Sequence, residues 1–331
     1  MSRFAKNYSW TDHRLTRDNT LLSRPTIGTD IGAQTANAAV DHYVRESISE
    51  NTRRAYRFDL AHFKSWGGNL PASADDVARY LAENAEILTP ATLARRIATI
   101  SKVHSANSWP NPCRSELVRT TLQGIRRAKG TAQKQAKPLL RDDLFLVLDS
   151  IGESIRDRRD RALLLLGWAG GMRASELVGL RTDDIEAVSE GLILHLRRSK
   201  TDQEGKGRKI GIPLGRTRHC PVTALATWQK YPAEKAGPLF CSVDRHGKVS
   251  TTHLRSDAVS TILRNCLCRA GLASEGYSGH SLRAGFATSA IKAGVPNHKV
   301  RAQTGHASDV MLGRYVRDAG LFEGNAVLGL L

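Results

Sequence analysis

Acidic residues are scarce in this chain. It carries 32 Asp plus Glu against 49 Lys plus Arg, a formal charge of +17 over 331 residues. The sequence pI is about 10.0. Such an excess argues against a basic partner and makes a polyanion the default, nucleic acid first and an anionic membrane second. Long apolar runs are missing too, and nothing approaches the roughly 18 apolar residues of a membrane span, so no membrane partner is expected. Met1 to Trp10 lack the apolar core of a secretory signal. Cysteine is sparse and irregular: Cys113, Cys220, Cys241, Cys266 and Cys268. An odd, irregularly spaced set argues against a disulfide framework, and Cys266 and Cys268 are too close for an easy bridge and lack a zinc-type CxxC. Free thiols in a reducing cytoplasm are expected. With 40% hydrophobic and 24% charged residues, global disorder and a collagen-like fibre are excluded. The length suits two medium domains.

Residues 1–37 are polar, aperiodic and basic, with Arg3, Lys6, Arg14, Arg17 and Arg24. They read as a flexible tail. From 38 to 130 the apolar residues recur at helical steps. Tyr56, Leu60 and Phe63 follow a cap-like Ser49-Glu50-Asn51-Thr52 and end at Trp66-Gly67-Gly68. Val77, Tyr80 and Leu81 follow Pro71; Leu93, Ile97 and Ile100 follow Thr89-Pro90; Val118, Leu122 and Ile125 close the series. This is a small all-helical domain with basic exposed faces: Arg53, Arg54, Arg57, Arg95, Arg96, Arg126 and Arg127. Residues 131–137 have no large apolar side chain and stand before Pro138, which predicts a linker. Residues 1–137 hold 21 basic and 12 acidic residues, and the rest hold 28 and 20. Both halves are basic, so both are expected to touch the same polyanion.

The second half, 138–331, mixes helices with a small sheet. Helices are predicted over 143–148, 161–168, 175–180, 221–230, 252–270, 281–293 and 297–303. Two strands, 192–197 and 209–213, flank a basic loop with Arg198, Lys200, Lys206 and Arg208. The fold class is therefore mostly α with one small β-sheet. The apolar end, Ala326 to Leu331, is expected to dock on its own domain or on a neighbour.

Chemistry-bearing residues come in a fixed order. Arg173 follows the tight Gly170-Gly171 turn, with Glu176 three residues on and close enough to share a face. Lys200 lies in the basic loop. His280 and Arg283 open a helix at positions i and i+3. Arg cannot ligate a metal, but a His-Arg pair suits a phosphate, one offering a planar fork of donors and the other a proton near neutral pH. Gly305-His306 and then Tyr315 complete the series. Each piece alone has a bland reading: a surface ion pair, a solvated lysine, a packing tyrosine.

The ordered set resembles the catalytic domain of the tyrosine recombinases, the phage integrase family. The resemblance spans roughly 38–320. It extends to Asn51–Trp66, which looks like the family's helical core-binding domain, and to Leu122-Gln123-Gly124-Ile125. It implies an N-terminal helical core-binding domain followed by an α+β catalytic domain. It assigns Arg173, Lys200, His280, Arg283 and His306 to surround a scissile DNA phosphate, and Tyr315 as nucleophile. Glu176 matches the family's acidic position and is expected to orient His280 or an arginine.

The chemistry agrees with the residue types. A pentacoordinate phosphoryl transition state gathers charge on its non-bridging oxygens, which fixed cations stabilise beyond the ground state. A tyrosine hydroxyl, with an ordinary pKa of about 10, needs a base or relay, for which His280 is the candidate. The leaving 5′ oxygen needs a proton, a role the resemblance gives to Lys200. The implied enzyme is a site-specific recombinase with a 3′-phosphotyrosyl intermediate, free of metal, cofactor and ATP. Its implied partners are double-stranded DNA with inverted-repeat sites and three further copies, a homotetramer on two sites passing through a four-way Holliday junction. Accessory proteins are left open, and the expected place is the cytoplasm, at the nucleoid. Integration or excision of a mobile element is the first biological reading, and dimer resolution the second. Rival classes are a non-catalytic architectural DNA binder, a nicking-rejoining topoisomerase and a metal nuclease.

Overall fold

The computed structural model describes residues 42–43, 46–131, 135–197, 207–232 and 236–319. The expected basic tail, most of the basic loop and the apolar end lie outside the described residues. The chain divides into two compact units, Met1–Gln133 and Lys134–Leu331.

Long helices dominate the described part of the first unit: α1 (Glu50–Ser65), α2 (Ala74–Asn84), α3 (Pro90–Ala106) and α4 (Glu116–Lys129). Each starts where a hydroxyl can accept an orphan helix N–H. Ser49 accepts from Thr52, Ser73 from Asp76, Thr89 from Thr92 and Ser115 from Val118. Each such cap is worth about 1 kcal/mol. Phe63, Val77, Tyr80, Leu81, Leu93, Ile100 and Val118 form the core, so the helical spacing seen in the sequence is the buried face.

A polar cluster is buried beside that core. Asp59, Arg96 and Thr99 are all enclosed. Thr99 donates to Asp59 at 2.9 Å, and Arg95 pairs with Asp59 at 2.9 Å. Arg96 donates to Tyr80 at 2.7 Å and to His62 Nδ1 at 2.6 Å. Burial, then the Arg96 charge, push the His62 pKa below its ordinary value. The expectation that Arg96 lies on an exposed basic face is therefore corrected: it is 9% exposed and fills a space between three helices. Sequence spacing placed it beside Arg95 but did not show that Asp59 would draw it inward.

The second unit continues with α5 (Arg141–Asp149), α6 (Ile155–Ala169) and α7 (Ala174–Gly179). A three-stranded antiparallel sheet follows, in the order β1 (Ile185–Val188), β2 (Gly191–Leu196), β3 (Arg208–Pro213). Ile210 and Ile212 of β3 point inward and pair with Leu194 and Leu192 of β2. Then come α8 (Pro221–Trp228) and the hairpin of β4 (Cys241–Val243) and β5 (Val249–His253). The helices α9 (Ser256–Arg269), α10 (His280–Lys292), α11 (Asn297–Thr304) and α12 (Asp309–Ala319) complete the unit's described part. Leu163, Leu166, Leu177, Trp228, Phe240, Leu263 and Leu282 belong to one core cluster.

The mostly helical class holds, with two differences. Among the described residues there are two small sheets rather than one, because 249–253 pairs with 241–243. The helix expected over 252–270 accordingly begins at Ser256. The run Val249-Ser250-Thr251-Thr252 is β-branched enough to favour a strand once a partner is present.

Candidate active site

The site is assembled from several chain segments of the second unit. The first is the turn between α6 and α7. Gly171 has φ of 55°, and a Cβ there would come within 2.8 Å of Thr304 and 3.0 Å of Phe286. Only glycine meets both demands without strain. The turn delivers Arg173 to the N-terminus of α7. Glu176, 6% exposed, accepts the Arg173 backbone N–H at 3.0 Å and its guanidinium at 2.5 Å.

The second segment is the start of α10. His280 is its first residue and lies at the surface. Arg283, one turn on, is 1% exposed. It donates to the Gly171 carbonyl at 2.9 Å and to the Thr304 carbonyl. One guanidinium thus ties the glycine turn to the end of α11. Burial, then the Arg173 charge, bring the Arg283 pKa down to about 10.

The third segment ends α11. Gly305 closes the helix in the left-handed region, φ 67°. His306 follows, 8% exposed. Its Nδ1 sits 2.7 Å from the Thr304 hydroxyl, which itself donates to the Val300 carbonyl at 2.7 Å. With its proton so committed, the hydroxyl accepts from His306, which assigns the proton to Nδ1 and leaves Nε2 for the site. Burial, then Arg283 and Arg173, push the His306 pKa down to about 3. A pKa held that far below 6.5 favours the neutral imidazole near neutral pH.

The fourth segment is α12. Leu312 and Tyr315 pack with Ala284, Ala287 and Val300. This helix was not assigned from the sequence, though Leu312 and Tyr315 stand at the i, i+3 spacing that signals one. Tyr315 is 8% exposed, and its hydroxyl lies 2.9 Å from His280 Nε2. Its ring is 5.7 Å from that of His306.

The sequence profile of the phage integrase family matches residues 139–320, more than half the chain. The chain belongs to the phage integrase family. It is a tyrosine recombinase, as its resemblance implied. The profile of the phage integrase N-terminal SAM-like domain matches residues 41–109 of this recombinase. An integrase/recombinase xerD homolog of Selenomonas ruminantium is 34% identical over 294 residues, covering 86% of each chain. Recombinase cre of Escherichia phage P1 is 25% identical, covering 83% of this chain and 86% of its own. The fold is shared with a lambda integrase tetramer bound to a Holliday junction, at 17% identity and a TM-score of 0.59, over 89% of this chain and 83% of that one. It is shared too with XerH bound to palindromic difH, at 21% identity and 0.55, over 78% and 71%.

Five of the six predicted catalytic positions of the recombinase, and Glu176, are among the described residues, and they converge on one site. Lys200 lies outside the described residues, as do Arg198 and Lys206. Of the other cations singled out, Arg53, Arg54 and Arg57 stand on α1, where Arg57 pairs with Glu50 at 2.8 Å. Arg54, Arg126 and Arg127 are exposed. Arg208 departs from expectation. It is not in an open loop but opens β3 and enters the site, donating to Glu176 at 3.1 Å and to the Gln303 carbonyl at 2.9 Å. Glu176 therefore holds two arginines, Arg173 and Arg208. Gln303, Thr304 and the Gly171 carbonyl also support the site, and none of them carried a sequence signal beyond adjacency to a motif.

Proposed function

We propose that this recombinase cuts and rejoins DNA at specific sites through a 3′-phosphotyrosyl link made by Tyr315. The observation that carries the reading is the 2.9 Å approach of the Tyr315 hydroxyl to His280 Nε2, beside Arg173, Arg208 and Arg283 around one buried glutamate. That cluster has a surplus of enclosed positive charge, and a phosphodiester would neutralise part of it.

The geometry and the family resemblance support the following roles. Arg173 and Arg283 stabilise the non-bridging oxygens, with His306 as a third donor through Nε2 once an arriving anion favours its protonation. His280 takes or relays the tyrosine proton. Lys200, by the family resemblance, protonates the leaving 5′ oxygen. Tyr315 oxygen bonds to phosphorus as the bond to the 5′ oxygen breaks. The 5′ hydroxyl of a partner strand then attacks phosphorus and releases tyrosine. The ester bond is conserved at each step, so no high-energy cofactor enters.

In this reading the partners are double-stranded DNA with inverted-repeat sites and a tetramer of this chain on two sites, passing through a Holliday junction. Residues 38–130 and 138–331, joined through 131–137, contribute basic faces to the same duplex. The biological role is integration or excision of a mobile element. The likeness to a xerD homolog favours resolution of plasmid or chromosome dimers as a second reading. The enzyme would act in the cytoplasm, at the nucleoid.

The test is Tyr315→Phe. The wild type should form a protease-sensitive covalent DNA adduct. The variant should form none while its DNA affinity stays within about twofold, since a single hydroxyl is removed and the phosphate-binding cations remain. A wild type that binds DNA but never forms the adduct leaves the architectural reading in possession. Sequencing the trapped DNA and pairing two such sites in one plasmid would separate exchange from nicking and rejoining.

A further inference from the structure

Arg208 belongs to none of the roles above, yet it is among the most committed side chains of the site. It is the first residue of β3, paired across the sheet with Leu196. Its side chain is 19% exposed. One terminal nitrogen donates to Glu176 Oε2 and the other to the Gln303 carbonyl. Its Nε is buried with no hydrogen-bond partner among the described residues. Its pKa is drawn down, first by burial and partly by the charge of Arg173. A half-buried cation with an orphaned donor, crowded by another cation, carries a cost that its two hydrogen bonds must offset. The presence of an arginine calls for a function.

Glu176 supplies one. Its carboxylate is bonded to both Arg173 and Arg208, with Oε1 on Arg173 and Oε2 on Arg208. A carboxylate alone with Arg173 would form a closed pair and cancel most of the charge that a phosphate needs. A carboxylate shared by two arginines satisfies its lone pairs with half the claim on each. The geometry also places Arg208 against Gly305, where an added Cβ would collide with its guanidinium. The glycine before His306 is thus the space Arg208 occupies on its way to Glu176.

We propose that Arg208 is a positioning residue that shares the charge of Glu176, so that Arg173 stays available to a phosphate. The proposal rests on the recombinase reading of the site but concerns its anion affinity, which can be measured without any DNA reaction.

The experiment is calorimetric titration of the full chain with inorganic phosphate, at a temperature where circular dichroism shows each variant folded. Arg173→Ala defines the part of the signal that belongs to this site. Arg208→Met should lower that site's phosphate affinity by about tenfold, the scale of one charge-assisted hydrogen bond. Glu176→Gln in the Arg208→Met background should recover most of the loss. The amide oxygen introduced there can still accept the Arg173 backbone N–H, but it no longer cancels the guanidinium charge. Glu176→Gln alone should raise the affinity less than it does in the Arg208→Met background; a merely structural role for Arg208 predicts the same gain in both.

Three results would overturn the proposal. One is wild-type affinity in Arg208→Met. Another is a double variant no better than Arg208→Met, which would make Arg208 either a direct phosphate ligand or a packing group. The third is a wild type without a phosphate signal that depends on Arg173. Covalent trapping on DNA is scored separately. If the wild type forms no adduct while the phosphate results hold, the recombination reading fails and the role of Arg208 stands.

Discussion

Arg283 is hydrogen bonded to two backbone carbonyls, Gly171 and Thr304, which lie on either side of it in the chain. The residue expected to grip the substrate is also the clip that closes the site. Replacing it with lysine keeps a charge but loses the fork, since one nitrogen already serves both carbonyls and lysine has no second planar N–H pair to present to a phosphate. Arg283→Lys should lower the rate of covalent DNA adduct formation by roughly 10²- to 10³-fold, the usual loss for a preorganised donor. It should also lower the melting temperature. A variant with normal cleavage and normal melting would mean that the clip is dispensable.

His280 faces Tyr315 from the helix start, within hydrogen-bond distance of its hydroxyl. His280→Ala should slow adduct formation by about 10²- to 10⁴-fold, the span of general base catalysis. DNA binding should persist, because the phosphate-binding cations remain. An unchanged rate would assign the proton relay to another group.

His306 couples stability to pH. Its folded pKa, about 3, lies below its ordinary value of 6.5. The unfolded chain therefore binds the proton better, so the His306 contribution is intact above 6.5 and shrinks as pH falls from 6.5 towards 3. His306→Gln cannot take up the proton. The difference in urea midpoint between wild type and variant should move in the variant's favour as the pH is lowered through that window. A difference that stays constant with pH would show that His306 already titrates normally in the folded protein.

The polar cluster of the first unit is structural. Asp59 is buried and holds Arg95, Arg96 and Thr99. Asp59→Ala strands the enclosed Arg96 charge and should cost about 3–5 kcal/mol. Arg54→Ala, at an exposed position bonded to Asn51, should change stability by no more than about 0.5 kcal/mol. Denaturant unfolding of both variants checks the contrast.

Arg54, Arg126 and Arg127 should act instead on DNA affinity. Each phosphate contact removed should lower the salt slope of binding by about 1 without relaxing sequence preference. Arg96→Ala should leave that slope unchanged. Binding isotherms across a range of salt concentrations separate the two groups.

By itself the sequence determined the basic character of both halves, the helical periods of the first unit and the order of the reactive residues. Charge, spacing and capping are local properties, and Ser49, Ser73, Thr89 and Ser115 each mark a helix start that can be read from its immediate neighbours. The second hairpin and α12 were less legible. Strand 249–253 depends on pairing with 241–243, and α12 finds its apolar cover in α10 and α11. Only the tertiary structure decided which arginines are available to a ligand. Arg96 and Arg208 look in sequence like any other cation of a basic stretch. Each is drawn inward by one buried carboxylate, Asp59 or Glu176, because an enclosed negative charge must find its counter-charge wherever the fold brings one, and no spacing along the chain records that meeting.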